Sequence, residues 1–243
     1  MGAERHASVA VVGAGDYIGA AIARRFAREG YLVHAGRRNG EKLAPLVQEI
    51  AAAGGRCVGK TLDARQEDAV AAFMREADAA APLEVAVFNI GANVNFPLLD
   101  TTERVFRKVW ELACHAGFLS GREAARAMLP RGRGSIFFTG ATASVRGGKG
   151  YAAFASAKFG LRGVAQSMAR ELGPQGIHVA HLVIDAGVDT AWVRERIKAR
   201  GGSGEERTLM DPASIGETYW QLHQQPRDAW THELDVRPSG ETW

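Results

Sequence analysis

Val9-Ala10-Val11-Val12-Gly13-Ala14-Gly15-Asp16-Tyr17-Ile18-Gly19 is the stretch that decides the architecture. A β-branched run stops at a glycine, and the apolar periodic segment Ile18–Glu29 begins at once. A strand that turns through a glycine loop straight into a helix aims backbone N–H groups and the positive helix end at one point, a geometry that holds a pyrophosphate. The candidate contacts are Gly13, Gly15, Tyr17, Ile18 and Gly19. A glycine trio alone is a weak signal; here it gains force by opening a chain that continues in strand–helix alternation. Tyr17 stands where a glycine is usual, so the spacing departs from the standard dinucleotide one.

Outward from this loop, Leu32–Ala35, Arg56–Gly59, Glu84–Phe88, Ser135–Thr139 and Ile177–Val183 read as further strands. Between them Glu41–Ala53, Gln66–Ala79, Glu103–Leu129 and Ala152–Leu172 carry apolar residues at three- and four-residue spacing and mostly end at glycine or proline. Repeated units of this length predict an α/β fold, a doubly wound parallel sheet of Rossmann type covered on both faces, as one domain over residues 1–243. Beyond Thr190 the pattern changes. A short helical stretch, Ala191–Ala199, leads to Arg200–Glu206, which reads as a mobile loop and candidate lid; a helix over Pro212–Gln224 and a last strand over His232–Val236 follow.

Composition excludes several classes. With 46% hydrophobic and 23% charged residues the chain is neither disordered nor fibrous. Its net charge of +3 comes from scattered Arg and Lys with no basic run, which speaks against nucleic acid as a partner. Cys57 and Cys114 support neither a disulfide framework nor a metal site, and the start of the chain lacks a signal segment, so a cytoplasmic location is expected. No apolar stretch reaches the roughly 18 residues that a membrane span needs.

The second strand leads into Gly36-Arg37-Arg38. An acidic residue here would bind a ribose 2′-hydroxyl, whereas arginine favours a 2′-phosphate, so NADP is expected over NAD. Arg37 and Arg38 can also be read as solvated loop residues, and Asp16 opposes a more anionic ligand. Asp63 either receives the adenine amino group or serves as an acidic residue at a helix N-terminus.

Gly13–Gly19, Leu62-Asp63, Asn89-Ile90-Gly91, Lys158 and Val188-Asp189-Thr190, in this order and over nearly the whole chain, resemble the short-chain dehydrogenase/reductase family. The resemblance implies that Asn89 and Gly91 support the sheet behind the cofactor, that Thr190 meets the nicotinamide carboxamide, and that the protein is a homodimer or homotetramer. The family's usual catalytic groups are Asn, Ser, Tyr and Lys. Aligned with them, this chain offers Cys114, Ala141, Phe154 and Lys158. Only the lysine remains, and phenylalanine has no proton to give.

Tyr151-Ala-Ala-Phe154-Ala-Ser-Ala-Lys158 is similar to the Tyr-x6-Lys arrangement of enoyl-thioester reductases in the same superfamily, which makes Tyr151 a candidate acid. Lys158 would then bind the nicotinamide ribose and lower the phenol's pKa. Thr142, beside the missing serine, is either an oxyanion donor or a strand-end hydroxyl. His115 reads as a packed or interface residue, and Met128 and Phe118 as helical core. The expectation is an oxidoreductase with an altered catalytic set acting on a small, mostly apolar carbonyl or activated C=C, with a catalytically inactive nucleotide-binding or scaffold protein of the same fold as the alternative. The apolar helices Glu103–Leu129 and Ala152–Leu172 exceed what one sheet face can cover, which also predicts self-association.

Overall fold

The computed structural model describes residues 2–199 and 208–240. The loop expected over Arg200–Glu206 lies outside the described residues.

Strands β1 (Ser8–Val12), β2 (Leu32–Arg37), β3 (Arg56–Thr61), β4 (Leu83–Phe88), β5 (Gly134–Thr139) and β6 (Ile177–Ile184) precede a short pair, β7 (Gly187–Val188) and β8 (Leu209–Met210), and a last strand, β9 (Glu233–Val236). Seven of them make one all-parallel sheet in the order β3-β2-β1-β4-β5-β6-β9. The order reverses beside β1, so a crevice opens at the C-terminal ends of β1 and β4, where doubly wound sheets bind ligands.

Alternation along the strands builds two cores. Val9, Val11, Val85 and Val87 face one side, under helices α1 (Ile18–Arg28), α2 (Ala44–Ala52) and, after the intervening helices, α8 (Pro212–His223). Ala10, Val12, Ala86 and Phe88 face the other, under α3 (Glu67–Ala80), α5 (Ala116–Met128) and α6 (Ala152–Leu172). Phe26, fully buried on α1, anchors the first core through edge-on contacts to Tyr31 and Trp220 with ring centroids 5.8 and 5.7 Å apart. Burial of a side chain this size is worth about 1.5–3 kcal/mol.

Three expectations need correction. The helix expected over Glu103–Leu129 is three pieces: α4 (Glu103–Trp110), a π turn at Glu111–His115, and α5. Apolar spacing runs through the π turn without a break, so the sequence carried no sign of it. Phe118 is not core; it is 39% exposed, because its side of α5 faces away from the sheet, whereas Met128 is fully buried. The segment expected to be helical from Glu41 opens as a 3-10 turn, Gly40–Leu43, and becomes α-helical at Ala44, with Pro45 in the first turn where its missing N–H costs nothing. The β7–β8 pair was not foreseen, since two-residue strands carry no periodicity. Helix α7 (Ala191–Ala199) lies where expected.

Candidate functional site

The glycine loop is held by close backbone approach. Gly13 has φ +92°, and a Cβ there would lie 2.8 Å from the Asn89 carbonyl oxygen. At Gly19 a Cβ would be 2.4 Å from the Gly13 carbonyl oxygen. Neither position admits a side chain, and the Gly13 and Ala14 N–H groups both donate to Gly36, tying the loop to the end of β2. Gly15 and Gly91 face open space instead. Helix α1 starts with no side-chain cap and no acidic residue in its first turn, leaving its amide end unneutralised.

Two cavities meet along this loop and share Gly13, Gly15, Asn89 and Gly91 as lining. The outer one, about 550 Å³, is walled by Arg37, Arg38, Lys42, Leu62 and Asp63. The inner one, about 360 Å³, is walled by Asp16, Tyr17, Ile18, Gly19, Ala141, Phe154, Lys158 and Thr190. Asn89 fixes the seam: its backbone N–H donates to Val12 and its side-chain amide to the Gly13 carbonyl, 3.1 Å away.

In the outer cavity Arg37, the last residue of β2, donates to Asp16 at 2.6 Å. Arg38 is exposed beside it. Asp63 accepts the Arg65 guanidinium and backbone N–H, and the guanidinium hydrogen bonds hold its carboxyl below the usual range against the opposing effect of burial.

In the inner cavity Lys158 is almost wholly covered, yet among the described residues no carboxylate pairs with it. Its ammonium donates to the Thr139 carbonyl at 2.7 Å and the Ile90 carbonyl at 3.2 Å, and lies 5.9 Å from the centre of the Phe154 ring. Burial in these surroundings lowers its pKa from 10.5 to about 8. Cys114, in the π turn, is buried and packs so closely on α6 that a Cβ at Gly160 would be 2.8 Å from its Sγ. Burial pushes its thiol up, opposed by the Lys158 charge.

The remaining candidates are placed as follows. Tyr151 precedes α6 as its N-cap residue, half-buried in an apolar cluster with Phe154 and Val109, one turn before the part of α6 that lines the inner cavity. Thr142 begins a 3-10 turn after β5, and its hydroxyl donates to Asp185 rather than pointing into the cavity. Thr190 lines the cavity while its hydroxyl accepts the Val193 N–H at 3.1 Å, capping α7. The Tyr17 hydroxyl accepts the Ala191 N–H at 3.2 Å, joining the glycine loop to the start of α7. His115 stacks on Trp110, with ring centroids 6.0 Å apart.

Sequence reading missed two features. Asp185, buried at the end of β6, gathers Thr142, Arg146 at 3.5 Å and Arg237 at 3.4 Å. Behind the cavity, His181 fills the space a Gly140 side chain would take, with Nε2 2.5 Å from that ideal Cβ, while its Nδ1 lies 3.2 Å from Glu233. Both depend on β5 lying beside β6, which the sequence does not announce; the signal that was available is a charged residue inside an otherwise apolar strand end.

The sequence profile of the short chain dehydrogenases matches residues 7–201. A crystal structure of a short-chain dehydrogenase from Rhodopseudomonas palustris is 64% identical, superposes with a TM-score of 0.85, and matches over 96% of this chain and 99% of its own. A metagenomic short-chain oxidoreductase solved in complex with NADP is 28% identical, with a TM-score of 0.82 over 97% of this chain and 99% of its own. The cyclic-di-GMP-binding biofilm dispersal mediator protein of Escherichia coli is 34% identical over 197 residues, covering 78% of this chain and 76% of that protein.

Proposed function

The chain belongs to the short-chain dehydrogenase family, and on that premise we propose that it is an NADP-dependent oxidoreductase with a non-standard catalytic set, moving hydride to or from a small apolar carbonyl or activated C=C substrate. The observation that carries this reading is the continuous cleft from the cationic outer cavity, past the glycine loop, to Lys158. The residues fit a dinucleotide: Gly15 and Gly91 leave open space where a Cβ would stand, so a ligand can approach the backbone there, and Arg37, Arg38 and Lys42 offer positive charge for a 2′-phosphate.

When bound, the nicotinamide supplies or accepts the hydride. Gly13, Gly15, Tyr17, Ile18 and Gly19 would hold the pyrophosphate, Asp63 the adenine side, Asn89 and Gly91 the middle of the cleft, and Thr190 the nicotinamide side. Lys158 would bind the ribose hydroxyls. With its proton affinity near neutrality, its Nζ can also give or take a proton at the inner end of the cleft. Phe154 and Ala141 present no acidic hydrogen there. We therefore assign the substrate's proton to the Tyr151 phenol, assisted by the Lys158 charge; Thr142, whose hydroxyl donates to Asp185, takes no part in this assignment.

The test is reduction by NADPH of a panel of ketones, aldehydes, enones and enoyl thioesters, comparing wild type with Tyr151→Phe and Lys158→Met. Turnover lost in both supports the assignment, and turnover kept in Tyr151→Phe but lost in Lys158→Met transfers the proton role to the lysine. No turnover with any substrate leaves the oxidoreductase reading without a basis.

A second reading, nucleotide binding without turnover, is favoured by the loss of all three partners of Lys158, at Cys114, Ala141 and Phe154. The cyclic-di-GMP-binding relative adds a ligand to try, and calorimetric titration with NADPH and with cyclic-di-GMP, alongside the turnover assay, separates the two readings.

We also propose a homodimer or homotetramer built on α5 and α6. An apolar groove of about 620 Å³ runs between these helices, with Phe118 beside it. Phe159 on α6 and Trp110 on α4 are exposed as well. Among the described residues no helix is long and apolar enough to cross a membrane.

A further inference from the structure

We propose that a small carboxylate binds in the cavity at the N-terminal ends of β4, β5 and β6, at the opposite end of the sheet from the cleft, with Arg227 and Arg133 as its cationic contacts. The inference does not depend on the dinucleotide reading.

Three neighbouring strands begin together here. Ser135 lies opposite Val85 on one side and His178 on the other, so Glu84, Ser135 and His178 gather at one end of the sheet. The segment between α8 and β9 borders them with Gln225, Arg227 and Trp230. The space between is about 240 Å³. That is below the roughly 300–1,000 Å³ of pockets that take drug-sized ligands, so the occupant is small.

The walls are fixed before any ligand arrives. Both ring nitrogens of His223 are engaged, Nδ1 with the Ser135 hydroxyl and Nε2 with the Tyr31 hydroxyl, each at 2.9 Å. The Trp230 indole stacks on His178 with planes 3° apart and ring centroids 4.9 Å apart. The Gln225 amide is spent on Thr231, accepting its N–H at 2.7 Å and donating to its hydroxyl at 2.8 Å. A site built this way loses little freedom on being filled. One polar atom of the wall is left over. His178 is 2% exposed and has Nε2 against the Thr231 carbonyl at 2.8 Å, while its buried Nδ1 has no hydrogen-bond partner among the described residues. Buried polar groups are rarely left so, which marks this wall as one that the protein alone does not complete.

Charge selects the ligand. Burial lowers the pKa of His178 and of His223, the latter to about 4, so both are neutral at pH 7. Two guanidiniums, Arg133 and Arg227, then face one carboxylate, Glu84, which pairs with Arg133 at 2.8 Å, and the lining keeps one net positive charge. One excess cation matches a monoanion better than a phosphate dianion, whose second charge would face Glu84 uncompensated. Arg227 donates Nη2 to the Gly132 carbonyl at 2.7 Å, and its Nη1 passes 3.3 Å from where a Gly176 Cβ would stand. A guanidinium offers five N–H donors in a planar fork, more than this contact uses, and that fork is the shape that takes a carboxylate through two parallel bonds.

The experiment is saturation-transfer NMR on the full chain with benzoate as the probe, benzyl alcohol as its uncharged counterpart, and NADPH and inorganic phosphate as competitors. Wild type is compared with Arg227→Gln, Arg133→Gln and Arg170→Gln, the last an exposed arginine of α6 outside this cavity, and melting curves confirm that the variants fold. The expected result is a benzoate Kd on the order of 1 mM, weakened about tenfold in Arg227→Gln and in Arg133→Gln and unchanged in Arg170→Gln. Benzyl alcohol should bind about tenfold more weakly, and NADPH should not displace benzoate. Benzoate binding that is equal in wild type and both cavity variants, or that NADPH abolishes, overturns the inference. So does phosphate that displaces benzoate at concentrations below the benzoate Kd, or the absence of any benzoate signal. If NADPH itself fails to bind, the dinucleotide reading falls, and the two arginine variants still decide this one.

Discussion

Replacing Lys158 by Met should reverse its effect on stability between neutral and alkaline pH. The substitution keeps the apolar stem and removes a buried ammonium that donates to two backbone carbonyls and has no carboxylate partner among the described residues. Its pKa falls from 10.5 to about 8 on folding, so between these values the unfolded chain holds the proton that the native state has released, and stability rises with pH across that window. Below pH 8 both states are charged and the full cost applies, about 3 kcal/mol. Against this, the variant gives up two hydrogen bonds worth about 1 kcal/mol each. At pH 7 Lys158→Met is therefore expected to be more stable by about 1 kcal/mol, a rise in Tm of roughly 2–4 °C for a chain of this length. By pH 9.5 the cost in the wild type has shrunk to about 1 kcal/mol, and the variant becomes the less stable protein by a similar amount. Urea unfolding of both proteins at pH 7 and 9.5 measures the crossing. Parallel pH profiles would refute the claim that the lysine is held charged against its surroundings.

Restoring Phe154→Tyr together with Ala141→Ser should raise ketone reduction by NADPH about a hundredfold or more, the scale of a positioned general acid, as measured by steady-state kinetics. Burial lowers His181 to about 4, so its contribution to stability is complete above the unfolded value of 6.5 and is lost as the pH falls toward 4; His181→Leu should flatten a slope of about 3 kcal/mol in urea midpoints over that range. Phe118→Asp with Phe159→Asp should shift the protein to monomer by light scattering, since Phe118 lines the α5–α6 groove and Phe159 is exposed on α6.

What could be read from the sequence was what is periodic or local. The strand at Ser8–Val12, its glycine loop and α1 were legible because alternation, a glycine that bars a side chain and helical spacing occur in one continuous segment. Helix α6 was delimited without error, since Tyr151 and Gly173 flank an unbroken helical pattern. Illegible were the pairings made by strands adjacent in space and distant in sequence. Arg37 was read as free to meet a 2′-phosphate, but its partner Asp16 comes from the neighbouring strand's loop. Thr142 was weighed as an oxyanion donor, yet its proton goes to Asp185 across the β5–β6 edge. Tyr151 was ranked by its spacing from Lys158, whereas its relation to the cleft depends on where α6 begins.

The π turn at Glu111–His115 sets the rotational phase of the helices on either side of it. Each residue of an α-helix advances the side chain by about 100°, so the wide turn gives Trp110 and Phe106 an angular setting relative to Phe118 that a regular helix would not. Deleting one residue inside the turn would swing the aromatic side chains of α4 around the axis and lift Cys114 from its seat against Gly160. Insertions and deletions here would be felt at the lysine and at the outward-facing rings together, so tolerance to length change should be lower at these five residues than anywhere else on that helix.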